Sequence, residues 1–253
     1  KINSEQMPLK YSDFNIGEHI RTNADAVKER KDWIGTPKEK LNRMIAKDCN
    51  GIVAGLYEYY AIYKPIFPDK TRFIPLPIKT NSTKIPDMTS HEGKVKIFIG
   101  ISRGRSEYKG TDIMLKAAID VASRHPNEME IMKAEGLPFC EYQRLMDGSD
   151  AILDQLYSYT PSMNSLLAMS KGIICIGGGE PENYEILNEK ELRPIINVKP
   201  CYDSVVEQLE WLLANKDKIP RMKSESIEYV RRHHDHIDVA RRYLEFWNDD
   251  SSL

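Results

Sequence analysis

The stretch Ala151–Tyr184, AILDQLYSYTPSMNSLLAMSKGIICIGGGEPENY, decides the fold of this chain. It contains an apolar run, a polar loop, a helical segment that starts with small polar residues, a second apolar run, and a turn with three glycines and two glutamates. Short apolar runs bounded by turn residues predict buried strands. Strands joined by a helix favour a parallel sheet, which binds ligands at the carboxyl ends of its strands. The N–H groups of a helix start favour anions, so this stretch predicts a phosphate-bearing ligand.

The same alternation continues on both sides of this stretch. Val95–Ile101, Met129–Lys133 and Pro194–Val198 are short apolar runs, and Thr111–Ser123 carries apolar residues at helical spacing. Repeated strand–helix units predict a parallel sheet with helices on both faces and right-handed crossovers. We therefore predict an α/β fold built on a Rossmann-like parallel sheet.

The chain divides into three parts by its patterns. Residues 1–85 combine charged amphipathic helices with short strands and a polar linker, and we interpret them as a partial, mostly helical N-terminal domain. Residues 86–236 hold the strand–helix alternation, and we predict a terminal helix within residues 237–253. That helix has Ala240, Tyr243, Leu244 and Trp247 on one stripe, which predicts that this stripe packs against another element.

The composition is that of an ordinary soluble globular protein, with 41% hydrophobic and 29% charged residues. The net charge of -2 gives no support for nucleic acid as a partner. No apolar run approaches the ~20 residues that a membrane-spanning helix needs. The cysteines lack CxxC or CxxH spacing, so we expect reduced thiols and a cytoplasmic location. They are Cys49, Cys140, Cys175 and Cys201.

A basic loop follows the first strand of the second part. Arg103, Gly104, Arg105 and Lys109 lie in SRGRSEYKG, directly after Val95–Ile101. Guanidinium groups bind phosphate oxygens in pairs and an ammonium group adds a point charge, so the loop suits a diphosphate. The spacing is neither a Walker motif nor GxGxxG, and a solvated basic loop is the alternative interpretation.

The helix that starts near Ser162 is the second candidate element. The residues Ser162, Met163, Asn164 and Ser165 follow Thr160-Pro161 in the sequence. Small side chains and a proline at the first turn would leave backbone N–H groups available to a phosphate. Ordinary helix capping by Ser162 explains these residues equally well.

The turn after the second apolar run carries Gly178 and Gly179, followed by Glu180 and Glu182. Glycines permit unusual dihedral angles and a close approach of the backbone to a ligand, and carboxylates can bind sugar hydroxyls. A plain strand-to-helix turn needs fewer glycines, so we interpret this turn as functional.

Asp154 and Gln155 end the strand that precedes the helix. Since the carboxyl ends of neighbouring parallel strands meet at one edge of a sheet, we expect both side chains to face the same crevice. Simple exposure to solvent is the alternative.

The consecutive residues His233, His234, Asp235 and His236 are a weak metal signal. A shared tetrahedral site needs ligands one helical turn apart, whereas consecutive side chains on a helix point in different directions. We interpret this run as a helix end or break and expect no metal site there.

With these segments in view, the chain resembles the nucleotide-sugar glycosyltransferases with two Rossmann domains, the GT-B type, and specifically the retaining group 1, or family 4. The similarity covers Lys94 to Trp247 best: SRGRSEYKG matches the family's basic loop, and LLAMSKGIICIGG matches its EAMA-x-G-x-P-V block. Cys49–Ile78 looks like the end of the family's acceptor domain, most of which is missing. The resemblance implies a donor-binding domain whose terminal helix returns towards the first domain.

The resemblance also implies roles for these segments. Arg105 and Lys109 would be catalytic, binding the donor diphosphate with Arg103 and stabilising the leaving nucleotide. The helix start at Ser162–Ser165 would hold the same phosphates. The donor would be a UDP- or GDP-sugar and the acceptor a saccharide or lipid-linked molecule. Fixed cations and dipoles would neutralise the leaving group without a metal or another cofactor.

The sequence departs from the family at its paired glutamates, which would fall on Tyr159 and Leu167. Glu180, Glu182, Asp154 or Gln155 are the candidates to replace them.

We predict a glycosyltransferase of bacterial surface polysaccharide synthesis, located in the cytoplasm. Peripheral association with the inner face of the membrane, through the missing domain, is left open. The first alternative is a non-catalytic nucleotide-sugar-binding domain or a degenerate partner subunit. A sugar-nucleotide epimerase and an α/β domain without a phosphate ligand are further alternatives.

Overall fold

The computed structural model describes residues 28, 31–80, 91, 93–102 and 104–248. The strands within these residues are β1 (Ile52–Ala54), β2 (Thr71–Phe73), β3 (Val95–Ile101), β4 (Met129–Glu135), β5 (Ala151–Leu153), β6 (Ile174–Gly177) and β7 (Ile196–Asn197). The helices of two turns or more are α1 (Pro37–Asp48), α2 (Tyr57–Tyr63), α4 (Thr111–Arg124), α5 (Phe139–Met146), α6 (Met163–Ser170), α8 (Tyr202–Ala214), α9 (Ile219–His234) and α10 (His236–Trp247). Two shorter helices are α3 (Ser106–Lys109) and α7 (Pro181–Ile186).

The centre of the molecule is a five-stranded parallel sheet with the strand order β4-β3-β5-β6-β7. The prediction of an α/β fold with a Rossmann-like parallel sheet is therefore confirmed. The chain leaves β3 for β4 at one side and then returns to β5 on the other side of β3. This reversal leaves a crevice outside the carboxyl ends of β3 and β5, the position at which doubly wound sheets bind ligands.

The inner strands β5 and β6 are apolar and fully buried because helices cover both faces of the sheet, whereas the edge strand β4 carries exposed charged residues. Ile97 and Ile99 of β3 pack with α4 and α8 on one face. Phe98, which points the opposite way, packs with α5, α6 and α9 on the other face. All three of these side chains are fully buried. The loops that follow β3 and β5 are therefore attached to a rigid, well-packed sheet.

The described residues of the first part form a smaller unit. β1 and β2 pair in parallel; α1 precedes β1 in the sequence, and α2 connects β1 to β2. The predicted boundary between residues 85 and 86 lies outside the described residues.

The predicted helix break in the histidine run lies where α9 ends at His234 and α10 begins at His236. The backbone of Ile78 donates to the His234 carbonyl at 2.7 Å and accepts from the His236 N–H at 3.1 Å. Nδ1 of His234 donates to the Leu76 carbonyl at 2.9 Å, and Thr80 Oγ1 donates to Asp235. The run therefore joins the segment after β2 to the junction of α9 and α10.

The prediction of which face of the terminal helix packs is wrong, because the buried face is shifted by one residue. Leu244 and Trp247 are exposed, with 55% and 70% of their surface accessible. Val239 is buried instead, and a Cβ atom at Gly51 would collide with the ring of Phe246. Val239 and Phe246 are seven residues apart, so they share a face just as Ala240 and Trp247 do. Through Phe246, α10 contacts the segment between α1 and β1.

Glu189 is a buried carboxylate that fixes the loop before β7. It accepts hydrogen bonds from Nε2 of His233 at 2.6 Å and from the N–H groups of Glu191 and Leu192 at 2.7 and 3.0 Å. Burial acts to raise its pKa, but these hydrogen bonds outweigh burial and lower the pKa from 4.5 to about 2.

We expect Glu189 to stabilise the fold above pH 4.5, its ordinary pKa. Because the folded pKa is depressed, this contribution is lost as the pH falls from there towards the folded value of about 2. The melting temperature of the wild type should therefore exceed that of Glu189→Gln at neutral pH, and the gap should shrink over that acidic range. Other carboxylates titrate in both proteins and cancel in the difference. A gap that stays constant with pH would contradict this assignment.

Candidate functional site

A pocket of about 220 Å³ lies at the carboxyl ends of β3 and β5. Three segments line it: the end of α3, the loop between β5 and α6, and the first turn of α2. The residues that line it are Leu56, Glu58, Tyr59, Lys109, Gln155, Tyr157, Ser158, Thr160 and Ser162. Lys109, Gln155 and Ser162 are thus brought together as the sequence suggested, at the edge where a parallel sheet binds ligands.

The basic loop after β3 is held against the loop after β5. The Lys109 carbonyl accepts from the Leu156 N–H at 2.9 Å. Gly110 has a φ of 73°, and a Cβ atom there would lie 2.6 Å from Cβ of Leu156, so only glycine permits this close packing. This packing holds the half-buried Lys109 at the pocket.

The other residues of the basic loop lie further out. Arg105 is exposed at the opposite end of the single turn of α3, where its carbonyl accepts from the Lys109 N–H at 3.0 Å. Gly104 is exposed, with a φ of 72° and open space around its Cα. Arg103 lies outside the described residues. Lys109 is therefore the cation of this loop that the structure places in the pocket lining.

Asp154 does not face the crevice, contrary to our expectation. It is 4% exposed and accepts hydrogen bonds from Ser162 Oγ at 3.3 Å, Asn164 Nδ2 at 3.3 Å and Ser165 Oγ. The start of α6 folds over the end of β5, so these polar side chains turn inwards to a carboxylate that would otherwise be buried without partners. Asp154 therefore organises the helix start from beneath.

Ser162 does not act as an ordinary helix cap. Its Oγ accepts from Gln155 Nε2 at 2.8 Å and donates to Asp154, and no side-chain capping bond is formed at this helix start. The first backbone N–H groups of α6 are therefore not used by the Ser162 side chain. Asn164 is half-buried and Met163 is 47% exposed.

The glycine turn packs against protein, which corrects the idea that it lets the backbone approach a ligand. A Cβ atom at Gly178 would collide with the Ser158 carbonyl, and one at Gly179 would lie 2.7 Å from Cγ2 of Ile195. Neither glycine has a positive φ. The loop after β5 already fills the space above this turn, so glycine is needed for close packing of chain against chain.

The two glutamates after that turn differ in exposure. Glu180 is buried, with 6% of its surface accessible, and Glu182 is half-buried in the first turn of α7. The pKa of Tyr159 is raised to about 12, chiefly by burial and further by the negative charges of Glu182 and Glu180. The surroundings of Tyr159 on the side of α7 are therefore acidic.

Glu58 is a pocket residue that the sequence did not indicate. Its Oε1 accepts from the N–H groups of Tyr159 and Thr160 at 2.6 and 3.2 Å, and its Oε2 accepts from Thr160 Oγ1 at 2.7 Å. The rings of Tyr57 and Tyr159 lie 5.4 Å apart beside these bonds. About a hundred residues separate the partners, so only the tertiary fold brings them together.

Cys175 lies beneath the site as a core thiol. It is 1% exposed in β6, and burial together with the Asp154 carboxylate raises its pKa to about 12. A thiol held protonated in this way is a poor nucleophile.

The described residues show neither a metal cluster nor a membrane span. No three His, Cys, Asp or Glu residues among them are placed to hold a metal ion. No helix in the same part of the chain is long and apolar enough to cross a membrane. A second pocket of about 460 Å³ lies beside α1 and β2, but its lysine, Lys70, donates to the carbonyls of Lys47 and Cys49.

Solved structures match this architecture at low sequence identity. S. aureus TarM, in a variant solved with UDP, shares 11% identity at a TM-score of 0.62 over 85% of this chain and 47% of its own. Anabaena HepE, solved with UDP and glucose, shares 11% identity at a TM-score of 0.57, over 82% of this chain and 65% of its own. A Rickettsia africae glycosyltransferase shares 15% identity at a TM-score of 0.56, over 82% of this chain and 68% of its own. The fold is that of the GT-B glycosyltransferases.

This chain spans about half the length of the TarM chain that it matches. Its sequence matches no protein-family model and no curated protein. Within the GT-B fold, the positions that the resemblance assigns to paired glutamates are occupied by Tyr159, which is 8% exposed, and by the half-buried Leu167.

Proposed function

We propose that the pocket at the carboxyl ends of β3 and β5 binds a nucleotide diphosphate sugar, and that the chain is the donor-binding part of a glycosyltransferase. The observation that carries this proposal is the convergence of Lys109 with the start of α6 at one pocket of a GT-B fold. This pocket lies at the reversal of strand order, where sheets of this kind bind ligands.

In this proposal Lys109 supplies the fixed positive charge for the diphosphate. Lys109 lines the pocket, and its backbone is tied to Leu156, so little reorganisation is needed as charge develops on the leaving nucleotide. The exposed guanidinium of Arg105, one helical turn away, adds a second cation from the solvent side. The N–H groups at the start of α6 add dipoles of the same sign.

The finer assignments follow the resemblance described above. The donor is a UDP- or GDP-sugar and the acceptor a saccharide or lipid-linked molecule. Transfer proceeds with retention of configuration and without a metal, as in family 4. The pathway is bacterial surface polysaccharide synthesis in the cytoplasm. HepE and TarM, each solved with UDP, support UDP as the first donor base to test.

A second candidate function is nucleotide-sugar binding without transfer, in a degenerate partner subunit. Tyr159 and Leu167 favour it, because neither side chain can offer a carboxylate to donor hydroxyls. Asp154 does not replace them, since its oxygens are committed to the start of α6.

We expect one nucleotide to raise the melting temperature of the chain in a panel of UDP, GDP, ADP and their sugars. A ligand at about 100 times its Kd adds about 2.7 kcal/mol to the stability of the folded state. The same samples, incubated with the donor that shifts the midpoint and with a panel of saccharide acceptors, should release nucleoside diphosphate if the chain is catalytic, because the sugar then passes to an acceptor hydroxyl or to water. Binding without release favours the degenerate subunit. A panel with no shift would overturn the proposed donor site.

A further inference from the structure

The loop after β5 presents three hydrogen-bond donors to one point in the pocket. They are the N–H groups of Tyr159 and Thr160 and the hydroxyl of Thr160, and all three donate to the carboxylate of Glu58. Adjacent backbone N–H groups that share one acceptor form a concave anion site, and phosphate oxygens bind to the same kind of site. Here the anion comes from the chain itself, since Glu58 belongs to the first turn of α2.

The pocket is small while Glu58 holds the three donors. Its volume of about 220 Å³ is below the roughly 300–1,000 Å³ of pockets that hold a drug-sized ligand. Leu56, which directly precedes α2, and Glu58 and Tyr59 of α2 form one side of the pocket. If the Glu58 side chain withdraws, the pocket enlarges and its three donors are released together.

The charges of the pocket lining show what an incoming ligand would encounter. Lys109 lines the pocket together with Glu58, so the carboxylate there offsets the cation that would attract a diphosphate. Glu180 and Glu182 lie on the α7 side and add to the negative potential around Tyr159. A phosphate that enters the pocket must therefore compete with the Glu58 carboxylate for the donors of Tyr159 and Thr160, and the negative charge of Glu58 repels it.

We infer that the Tyr159–Thr160 loop is an anion subsite for the diphosphate of the proposed donor, and that Glu58 occupies it and must be displaced when the ligand binds. This inference rests on the proposed function and adds a regulatory contact to it. Glu58 is then a competitor inside the site, and the measured affinity for a nucleotide diphosphate is lowered by the fraction of molecules in which Glu58 is bound.

The test is calorimetric binding of UDP and of inorganic diphosphate to the wild type, Glu58→Gln and Glu185→Gln. Glutamine keeps the shape of Glu58 but lacks its charge, so both ligands should bind about tenfold more tightly to Glu58→Gln. Glu185 is an exposed carboxylate of α7 that lies outside the pocket lining. Its replacement controls for a general loss of negative charge and should change either Kd less than about twofold.

A second variant tests the donors directly. In the Glu58→Gln background, Thr160→Val removes the hydroxyl donor and should weaken diphosphate binding about fivefold. Unchanged or weaker binding of both ligands to a folded Glu58→Gln protein would overturn the inference, as would an unchanged Kd on adding Thr160→Val. If inorganic diphosphate gains affinity in Glu58→Gln while no nucleotide binds, the anion subsite stands and the proposed donor is wrong. If neither ligand binds any folded variant, both proposals are wrong.

Discussion

Replacing Lys109 with alanine should weaken the binding of the preferred nucleotide diphosphate by about thirtyfold. Lys109 lines the pocket, and a hydrogen bond to a charged group contributes about 2 kcal/mol. The carbonyl of Lys109, which accepts from the Leu156 N–H, is retained in the variant. The loop should therefore keep its position, and the melting temperature without ligand should stay close to that of the wild type.

A matched control for Lys109 is Lys94→Ala. Lys94 is exposed and directly precedes the amino end of β3, so it lies at the opposite edge of the sheet. Both variants change the net charge equally, and only a local contact distinguishes them. Titration calorimetry at two salt concentrations would measure both. Equal effects of the two substitutions would mean that Lys109 acts only through the general charge of the protein, which would remove the main support for the donor site.

Replacing Asp154 with alanine should lower the free energy of unfolding by about 4 kcal/mol. The carboxylate accepts from the half-buried Ser162 and Asn164 and from the buried Ser165, and its removal leaves these donors without that acceptor. Each buried donor left without a partner costs about 1–3 kcal/mol. The start of α6 should loosen as a result, so nucleotide affinity should fall as well.

Urea unfolding of Asp154→Ala and Asp147→Ala would test this expectation. Asp147 is a carboxylate of the same domain, but it is 55% exposed and pairs with Lys171 at the surface. Its loss should cost less than about 1 kcal/mol. A similar cost for both variants would show that Asp154 is no more important to the fold than a surface charge.

The sheet could be predicted from the sequence because its signals are local. Val95–Ile101 and Ala151–Leu153 are apolar runs that end in polar loops, and each is followed by residues at helical spacing. The loop positions of Lys109 and Ser162 follow from that order, since the carboxyl ends of parallel strands share one edge.

Other features of the site depend on contacts that no local pattern reveals. Asp154 turns inwards because the start of α6 folds over it, which the polarity of a strand end cannot show. Glu58 meets Thr160 only through the packing of α2 against the loop after β5. Gly178 is surrounded by protein because the Ser158 carbonyl fills the space above it. In each case a partner distant in the sequence decides where the side chain or the backbone lies.

The backbone bridge between Ile78 and Asp235 has a consequence for how Glu58 competes. It fastens the segment after β2 to the start of α10, and α10 in turn contacts Gly51 of the first part. The carboxylate of Glu58 is thereby tethered to its own binding site, and its effective concentration there is on the order of millimolar or more. Free acetate at ordinary buffer concentration should then displace Glu58 from the loop donors only weakly. Displacement calls for a ligand that, like a diphosphate, engages Lys109 and the loop donors together.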